Sequence, residues 1–191
     1  MTIKCLLWDF GDTLCDERFI WGAGPEWMAL YETFDGGIGD DWSTHKLDTP
    51  AFAAEVGNRL GMPADDVISF MRERCQHIRF FDFTYNFYLS QRLPQAIVTV
   101  NPDLFSEVIV PLHGFDQSAD VIVTSWEEGT TDKEVLCRLA LERLPIDCEP
   151  AEALLIDNKQ HNLDDWAKAG GAGYLFTTDD EFRSGIEARL A

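Results

Sequence analysis

The stretch "IKCLLWDFGDTLCD", Ile3–Asp16, constrains the fold of this chain more than any other. A nearly unbroken apolar run leads to Asp9, which is the pattern of a strand buried on both faces of a parallel sheet. An ionised carboxylate at the rim of an apolar core needs a cation or hydrogen-bond donors to offset its lost hydration. The stretch therefore predicts a buried first strand that ends in an acid with a charged partner or a metal beside it.

Apolar runs alternate with helical patterns along most of the remaining chain. Predicted helices of the second half cover Leu104–Leu112, Lys133–Leu144 and Leu163–Ala169. This alternation indicates an α/β class with a doubly wound, Rossmann-like parallel sheet. The predicted strands are Ile3–Asp9, Ala96–Val100, Val121–Thr124, Ala153–Asp157 and Gly173–Phe176.

The first two predicted strands are separated by about eighty residues, far more than one crossover needs. Capping residues and first-turn prolines predict helices over Pro25–Phe34, Thr49–Leu60 and Ala64–Phe80, with a loop over Phe34–Trp42. An insert at this point lies over the carboxyl edge of the sheet, where ligands of open α/β sheets bind. We expect a core formed by residues 1–15 and 89–191 and a small α-helical cap over 16–88. A merely decorative subdomain is the alternative.

Polar side chains follow the predicted strands on what should be one edge of the sheet. Asp9, Thr99 and the pair Asp157–Asn158 end strands, and Lys133 opens the helix after the third strand. A carboxylate can attack and form a covalent intermediate. Two carboxylates close together need a hard dication such as Mg²⁺, and an ammonium and a hydroxyl can hold phosphate oxygens. The set therefore suits phosphoryl or acyl-type transfer.

These residues resemble the motifs of the haloacid dehalogenase (HAD) superfamily of aspartate-nucleophile hydrolases, in the group whose helical cap follows the first strand. "LLWDFGDTL" is similar to the first motif and "AIVTVN" to the second. "GTTDKEVLCRLALERL" resembles the third motif and "ALLIDNKQHNLDDWAKAGGAGYLF" the fourth. The four follow one another in the family's order over the whole chain.

The resemblance implies a role for each matching residue. Asp9 would be the nucleophile, and Thr99 and Lys133 would bind the phosphoryl group. The implied Mg²⁺ ligands are Asp9, the backbone carbonyl of Gly11, Asp157 and the adjacent Asn158. Thr124–Ser125 is a rival for the role of Thr99, but Lys133 follows Thr124 too closely for the strand–helix unit that would have to separate them.

The first and fourth motifs depart from the family's pattern. Gly11 stands where the phosphatases carry a second Asp, which protonates the leaving group and then activates water. Asp12 follows one residue later, as if an Asp–Gly pair were reversed, and would need the flexibility of Gly11 to take that role. Asn158 replaces a second acid, which should lower Mg²⁺ affinity. His161 is an alternative base, although a single loop histidine is usually just exposed.

Three functions stay open. The first is a magnesium-dependent phosphatase that acts on a small phosphorylated metabolite through an aspartyl-phosphate. The second is a HAD-fold protein that binds a ligand or partner with little turnover. The third is a metal-independent, dehalogenase-type hydrolase, since that branch also lacks the second Asp. A phosphoacceptor receiver domain is disfavoured, because its Lys would follow the acids and it would lack the insert.

Composition limits the partners. The net charge is −19, with 34 acidic side chains against 15 Lys and Arg, which argues against nucleic-acid binding. No run has the length of a membrane span or a secretory signal, so we expect a cytoplasmic protein without a membrane partner. Five scattered cysteines indicate reduced thiols. The sequence gives no indication of oligomeric state.

Substrate choice should come from the cap. The stretch "HIRFFDFTYNFYLSQRL", His77–Leu93, is rich in aromatic residues, which either pack the junction with the core or form the wall of an apolar substrate site. Other residues of the insert that could line such a pocket or bind an anionic substrate tail are Trp21, Trp27, Trp42, Arg72, Arg74 and Arg79.

Overall fold

The computed structural model describes residues 2–18 and 25–190. Its strands are β1 Cys5–Trp8, β2 Cys15–Asp16, β3 Arg79–Phe80, β4 Gln95–Thr99, β5 Val121–Thr124, β6 Ala153–Asp157 and β7 Ala172–Leu175. Five of them form a parallel sheet in the order β5-β4-β1-β6-β7, with β1 at its centre. The predicted α/β class and parallel sheet are confirmed. The strands β4 and β5 lie on one side of β1, and the later strands β6 and β7 lie on the other. Because the strand order reverses at β1, a crevice is expected at the carboxyl ends of β4, β1 and β6.

Helices cover both faces of this sheet. They are α1 Pro25–Thr33, α2 Gly39–Ser43, α3 Thr49–Leu60, α4 Ala64–Cys75, α5 Asp82–Ser90, α6 Val110–His113, α7 Phe115–Ser118, α8 Ser125–Glu128, α9 Lys133–Arg143, α10 Gln160–Lys168 and α11 Asp179–Leu190. Single π-helical turns span Phe34–Ile38 and Phe105–Ile109, and a short 3₁₀ turn spans Pro150–Glu152.

The apolar residues of β1 explain why both faces need cover. Its four residues are fully buried and alternate in direction, as strand geometry requires. Leu6 and Trp8 enter one core, which α5, α11 and helices of the insert complete. Cys5 and Leu7 enter a second core, which α9 and α10 complete. This two-sided burial accounts for the continuous apolar run in the sequence.

The insert is helical, but two of its predicted details are wrong. The predicted loop over Phe34–Trp42 is a π-helical turn followed by α2, and Gly37 at φ 101° makes the kink between helical segments. The helix predicted to reach Phe80 ends at Cys75, because Arg79–Phe80 pairs antiparallel with Cys15–Asp16. The domain boundaries at 15/16 and 88/89 stay a prediction.

The aromatic stretch packs mainly on the sheet. Trp8 of β1 meets Tyr88 of α5 at 5.7 Å between ring centroids and Phe182 of α11 at 5.9 Å. Phe81 lies 5.2 Å from Phe176, which follows β7. These ring contacts join α5 to the core, so most of its aromatic side chains pack rather than line a pocket.

Within the described ranges, no helix combines the length and apolarity needed to cross a bilayer. All five cysteines are free thiols, as predicted.

Candidate active site

Asp9 lies at the carboxyl end of the central strand. Its backbone N–H donates to the carbonyl of Ile156 at 2.9 Å, which ties it to β6. Its side chain is nearly buried, and one carboxylate oxygen accepts a hydrogen bond from the hydroxyl of Thr13 at 3.3 Å. The buried strand thus fixes the position of the carboxylate that follows it.

The ammonium of Lys133 joins the acids that follow two adjacent strands. Its Nζ lies 2.6 Å from Oδ1 of Asp9 and 3.2 Å from Oδ2 of Asp157, and it donates to the carbonyl of Val98 at 2.7 Å. The Lys133 side chain is 3% exposed and that of Asp157 is fully buried. The sequence prediction that these three residues meet at one edge therefore holds in the structure.

The start of α9 places Lys133. Asp132 caps this helix by accepting hydrogen bonds from the N–H groups of Glu134 and Val135. Lys133 is the first helical residue, and side chains at this position point back towards the helix N-terminus. The capped helix therefore directs a lysine to the sheet edge.

Charge and burial act in opposite directions in this cluster. Burial by itself would lower the pKa of Lys133, but the carboxylates of Asp9 and Asp157 more than offset it, so the pKa is raised and the ammonium stays charged. Burial raises the pKa of Asp9, and the Lys133 ammonium opposes that shift. One buried cation thus serves two buried acids.

Asp157 has supporting residues that the sequence reasoning missed. Asn162 donates through Nδ2 to Oδ2 at 2.9 Å and Oδ1 at 3.1 Å, and the N–H of Lys159 donates to Oδ1 at 2.7 Å. Asn162 lies in the first turn of α10, five residues after Asp157. An amide at that spacing after an acid is the signal that could have found it.

Thr99 ends β4 and is buried, and its hydroxyl contacts Asn101, a residue that the sequence did not single out. Asn101 donates through Nδ2 to Thr99 Oγ1 at 2.6 Å. The rival Thr124 caps α8 by accepting from the N–H of Glu127, and Ser125 donates to the carbonyl of Asn101. Thr124 and Ser125 thus have structural roles, which favours Thr99 as the hydroxyl of the site.

The loop after Asp9 settles the position of Asp12. Asp12 has φ 53°, in the left-handed region, and is exposed. Its Oδ1 accepts from the backbone N–H of Glu17 at 2.9 Å, so its side chain closes the loop instead of turning over Gly11. The idea that Asp12 takes the role of an acid at position 11 has no support in this geometry.

Glu17 fills the space over Gly11. A Cβ built on Gly11 would lie 2.8 Å from Oε1 of Glu17. Burial raises the pKa of Glu17 to about 7, and the charges of Asp12 and Asp9 act in the same direction. Sequence reasoning missed this residue, because nothing in the spacing of Glu17 shows that the loop folds back on Gly11.

Oxygen donors near Asp157 bear on the implied magnesium. The side-chain Oδ1 of Asn158 is buried without a hydrogen-bond partner, and Asn158 lines an open cleft with Asp12 and Asp16. Among the described residues, no group of three or more His, Cys, Asp and Glu side chains is arranged to hold a metal. The Mg²⁺ ligands that the family resemblance implies include the backbone carbonyl of Gly11 and the side-chain amide of Asn158, and neither belongs to those four side-chain types. These hard oxygen donors fit Mg²⁺, although Asp157 would exchange a present hydrogen bond for the ion.

The remaining predicted residues lie apart from this cluster. His161 is exposed on α10, as are Arg72 on α4 and Arg79 on β3. Trp42 is buried, stacks on Phe52 at 3.9 Å and donates to Asp103 at 2.9 Å, and it also lines a small cleft with Glu17. Trp21 lies outside the described residues, and the side chain of Trp27 is not described.

Solved structures with the same architecture decide the fold. A predicted HAD-like family hydrolase of Porphyromonas gingivalis superposes with a TM-score of 0.77 at 16% identity, over 100% of this chain and 98% of that one. The chain has the HAD fold. A HAD-family enzyme of Bacteroides thetaiotaomicron, solved with magnesium and inorganic phosphate, gives 0.67 at 13% identity over 92% and 95% of the two chains.

One further neighbour is a dehalogenase by name. The L-2-haloacid dehalogenase of Xanthobacter autotrophicus also gives a TM-score of 0.67, at 14% identity over 100% of this chain and 85% of that one. No protein-family model and no curated protein matches the sequence. The likeness therefore shows the HAD fold alone and leaves the reaction to be argued from the site.

Proposed function

We propose that this protein is a magnesium-dependent phosphatase that hydrolyses a small phosphorylated metabolite through an aspartyl-phosphate intermediate. The observation that carries the proposal is the Lys133 ammonium, 2.6 Å from Asp9 and 3.2 Å from Asp157 at the ends of adjacent strands. A fixed cation beside a carboxylate nucleophile stabilises the negative charge of a phosphoryl group during transfer.

Each residue has a defined part in this reaction. Asp9 attacks phosphorus with the oxygen that Lys133 does not hold, and Lys133 stabilises charge on the transferred group. The Thr99 hydroxyl, turned by its bond to Asn101, offers a further contact to a phosphate oxygen. Asp9, Asp157, Asn158 and the Gly11 carbonyl would hold Mg²⁺, which when bound neutralises charge between the carboxylates and the phosphate.

The proposal is tested by phosphate release from a panel of small phosphate esters, with Mg²⁺ and with excess chelator. We expect turnover with Mg²⁺ and its loss on chelation. Asp9→Asn should lower the rate on the order of 10³-fold or more, because both steps use its carboxylate. Asp180→Asn, at an exposed position of α11, is the matched control.

Magnesium binding is measured separately by calorimetry. Asn158→Asp should tighten it, because a carboxylate is a stronger ligand than an amide for a hard cation. Absence of any magnesium-stimulated, Asp9-dependent phosphate release would contradict the proposed function and favour a protein that binds its ligand without turnover.

A dehalogenase-type hydrolase is the second candidate, and Gly11 favours it. This position has no acid to protonate a leaving group, and a halide leaves without a proton. Halide release from a 2-haloacid that is insensitive to chelator and lost in Asp9→Asn would replace the phosphatase proposal by this one.

A further inference from the structure

The proposed phosphatase reaction needs a proton donor that the clustered residues do not provide. When Asp9 attacks phosphorus, the bond to the leaving oxygen breaks and that oxygen keeps the electron pair. Lys133 has three acceptors for its three N–H bonds, and Asp157 accepts from Lys133, Lys159 and Asn162. Neither group is placed to protonate a leaving alkoxide.

Other titratable groups of the loop and its surroundings are also engaged or remote. Asp12 closes the loop through the N–H of Glu17, and Asp16 is held by Arg18. His161 is exposed on α10. The loop that follows the nucleophile therefore leaves one acid to consider.

Glu17 is that acid. Its carboxyl lies against residue 11, two positions after Asp9, in space that any side chain at position 11 would enter. Among residues 2–18 and 25–190, no hydrogen bond or ion pair to this carboxyl is formed. The absence of a side chain on Gly11 is what gives the Glu17 carboxyl access to the nucleophile loop.

The same side chain lines a small cleft between insert and core. This cleft of about 40 Å³ is mostly apolar, with Glu17 and Asn101 as its polar members. The apolar members include Phe34, Trp42, Met71, Val100 and Phe105. A leaving group that enters this cleft would be small and uncharged.

We infer that Glu17 is the acid–base catalyst of the phosphatase and that the substrate is the phosphate ester of a small, uncharged alcohol. The inference rests on the proposed function. Glu17 gives its proton to the leaving oxygen as the P–O bond breaks. It then takes a proton from water as the water oxygen bonds to phosphorus and the bond to Asp9 breaks, which regenerates both carboxyl groups.

Substrates that differ in leaving group test this role. The panel is acetyl phosphate, phenyl phosphate and propyl phosphate. In that order, the leaving group depends more and more on protonation. Glu17→Gln should lower kcat/KM for the phenyl and propyl esters on the order of 10²–10⁴-fold and change acetyl phosphate little. Glu187→Gln, at an exposed position of α11, is the matched control.

A second variant moves the carboxyl from position 17 to position 11 and tests whether activity returns. Gly11→Asp combined with Glu17→Ala should restore much of the activity on the propyl ester, since the shorter side chain at position 17 frees the space over residue 11 and the carboxyl then comes from position 11 itself. Equal kcat/KM values of Glu17→Gln and wild type on all three substrates, or an equal loss of kcat/KM on all three without rescue, would overturn the role of Glu17 and leave the proposed function standing. Failure of the wild type to hydrolyse any of them would overturn both.

Discussion

At the scale of single residues, the Lys133 ammonium controls the electrostatics of the site. It is the buried cation that Asp9 and Asp157 share, and the second acid also depends on the amide of Asn162. A buried ion pair contributes little over an apolar pair of the same shape, but removal of one partner leaves an uncompensated charge. Lys133 is therefore as important for folding as for the proposed chemistry.

Substitution of Lys133 by Met should destabilise the protein by about 3–5 kcal/mol at neutral pH, because two buried carboxylates are then left facing each other. Chemical denaturation measures the change. In an Asp9→Asn background the same substitution should cost less, since one of the charges is gone. Lys168→Met, which removes an exposed partner of Asp165, should cost no more than about 1 kcal/mol and serves as the control. Similar costs for the two lysines would contradict this account.

At the scale of elements, α11 stabilises the start of α5. Asp179, in the first turn of α11, accepts hydrogen bonds from the N–H groups of Phe83 and Thr84 at 2.9 and 2.8 Å and from the Thr84 hydroxyl at 2.7 Å. Burial of Asp179 would raise its pKa, but these hydrogen bonds outweigh that effect and lower the pKa. An acid from one helix thus caps another that is 95 residues away in the chain.

Asp179→Ala should lower the free energy of unfolding by about 1–2 kcal/mol, as loss of an N-cap does. Because the folded pKa lies below the ordinary 3.8, this stabilisation is fully present above that pH and is lost as pH falls through the folded pKa. Urea denaturation at several pH values should show a constant difference from wild type at pH 5 to 7 and a smaller one below 3.8. A difference that grows as pH falls would show that the carboxylate is not the stabilising form. Asp180→Ala, one residue later and exposed, is the control.

At the scale of the whole molecule, Asp103 joins the insert to the sheet. It lies in the loop after β4 and is 3% exposed. Its carboxylate accepts from Trp42 Nε1 at 2.9 Å and from the N–H and hydroxyl of Thr49 at 2.8 and 2.5 Å. Three donors from the insert therefore converge on one acid of the core, and the cleft that Glu17 lines lies beside this joint.

Asp103→Ala should cost roughly 1.5–3 kcal/mol, because buried donors lose a charged acceptor. Trp42 should become more exposed, which shifts its fluorescence to longer wavelength, and the insert should be cleaved faster in limited proteolysis. Asp116→Ala, at an exposed position of α7, should change neither. Loss of stability without faster cleavage of the insert would show that Asp103 supports the core alone.

The parallel sheet and the residues at its edge could be predicted from local sequence patterns. Apolar runs bounded by Asp9, Thr99 and Asp157 can be read locally, since burial on both faces and the order of strands and helices leave their mark on composition. The start of α9 at Lys133 could be predicted for the same reason. The pairing of Cys15–Asp16 with Arg79–Phe80 could not, because it depends on contact between distant segments.

The groups that surround Asp9 and that join the insert to the core become visible only in the folded chain. Asn162, Asn101 and Asp103 carry no motif, and their importance comes from hydrogen bonds that the fold brings together. The same holds for Glu17, whose carboxyl reaches Gly11 through a loop closed by the side chain of Asp12. Local patterns report whether a residue is buried or periodic, whereas the distance between two side chains depends on the path of the whole chain.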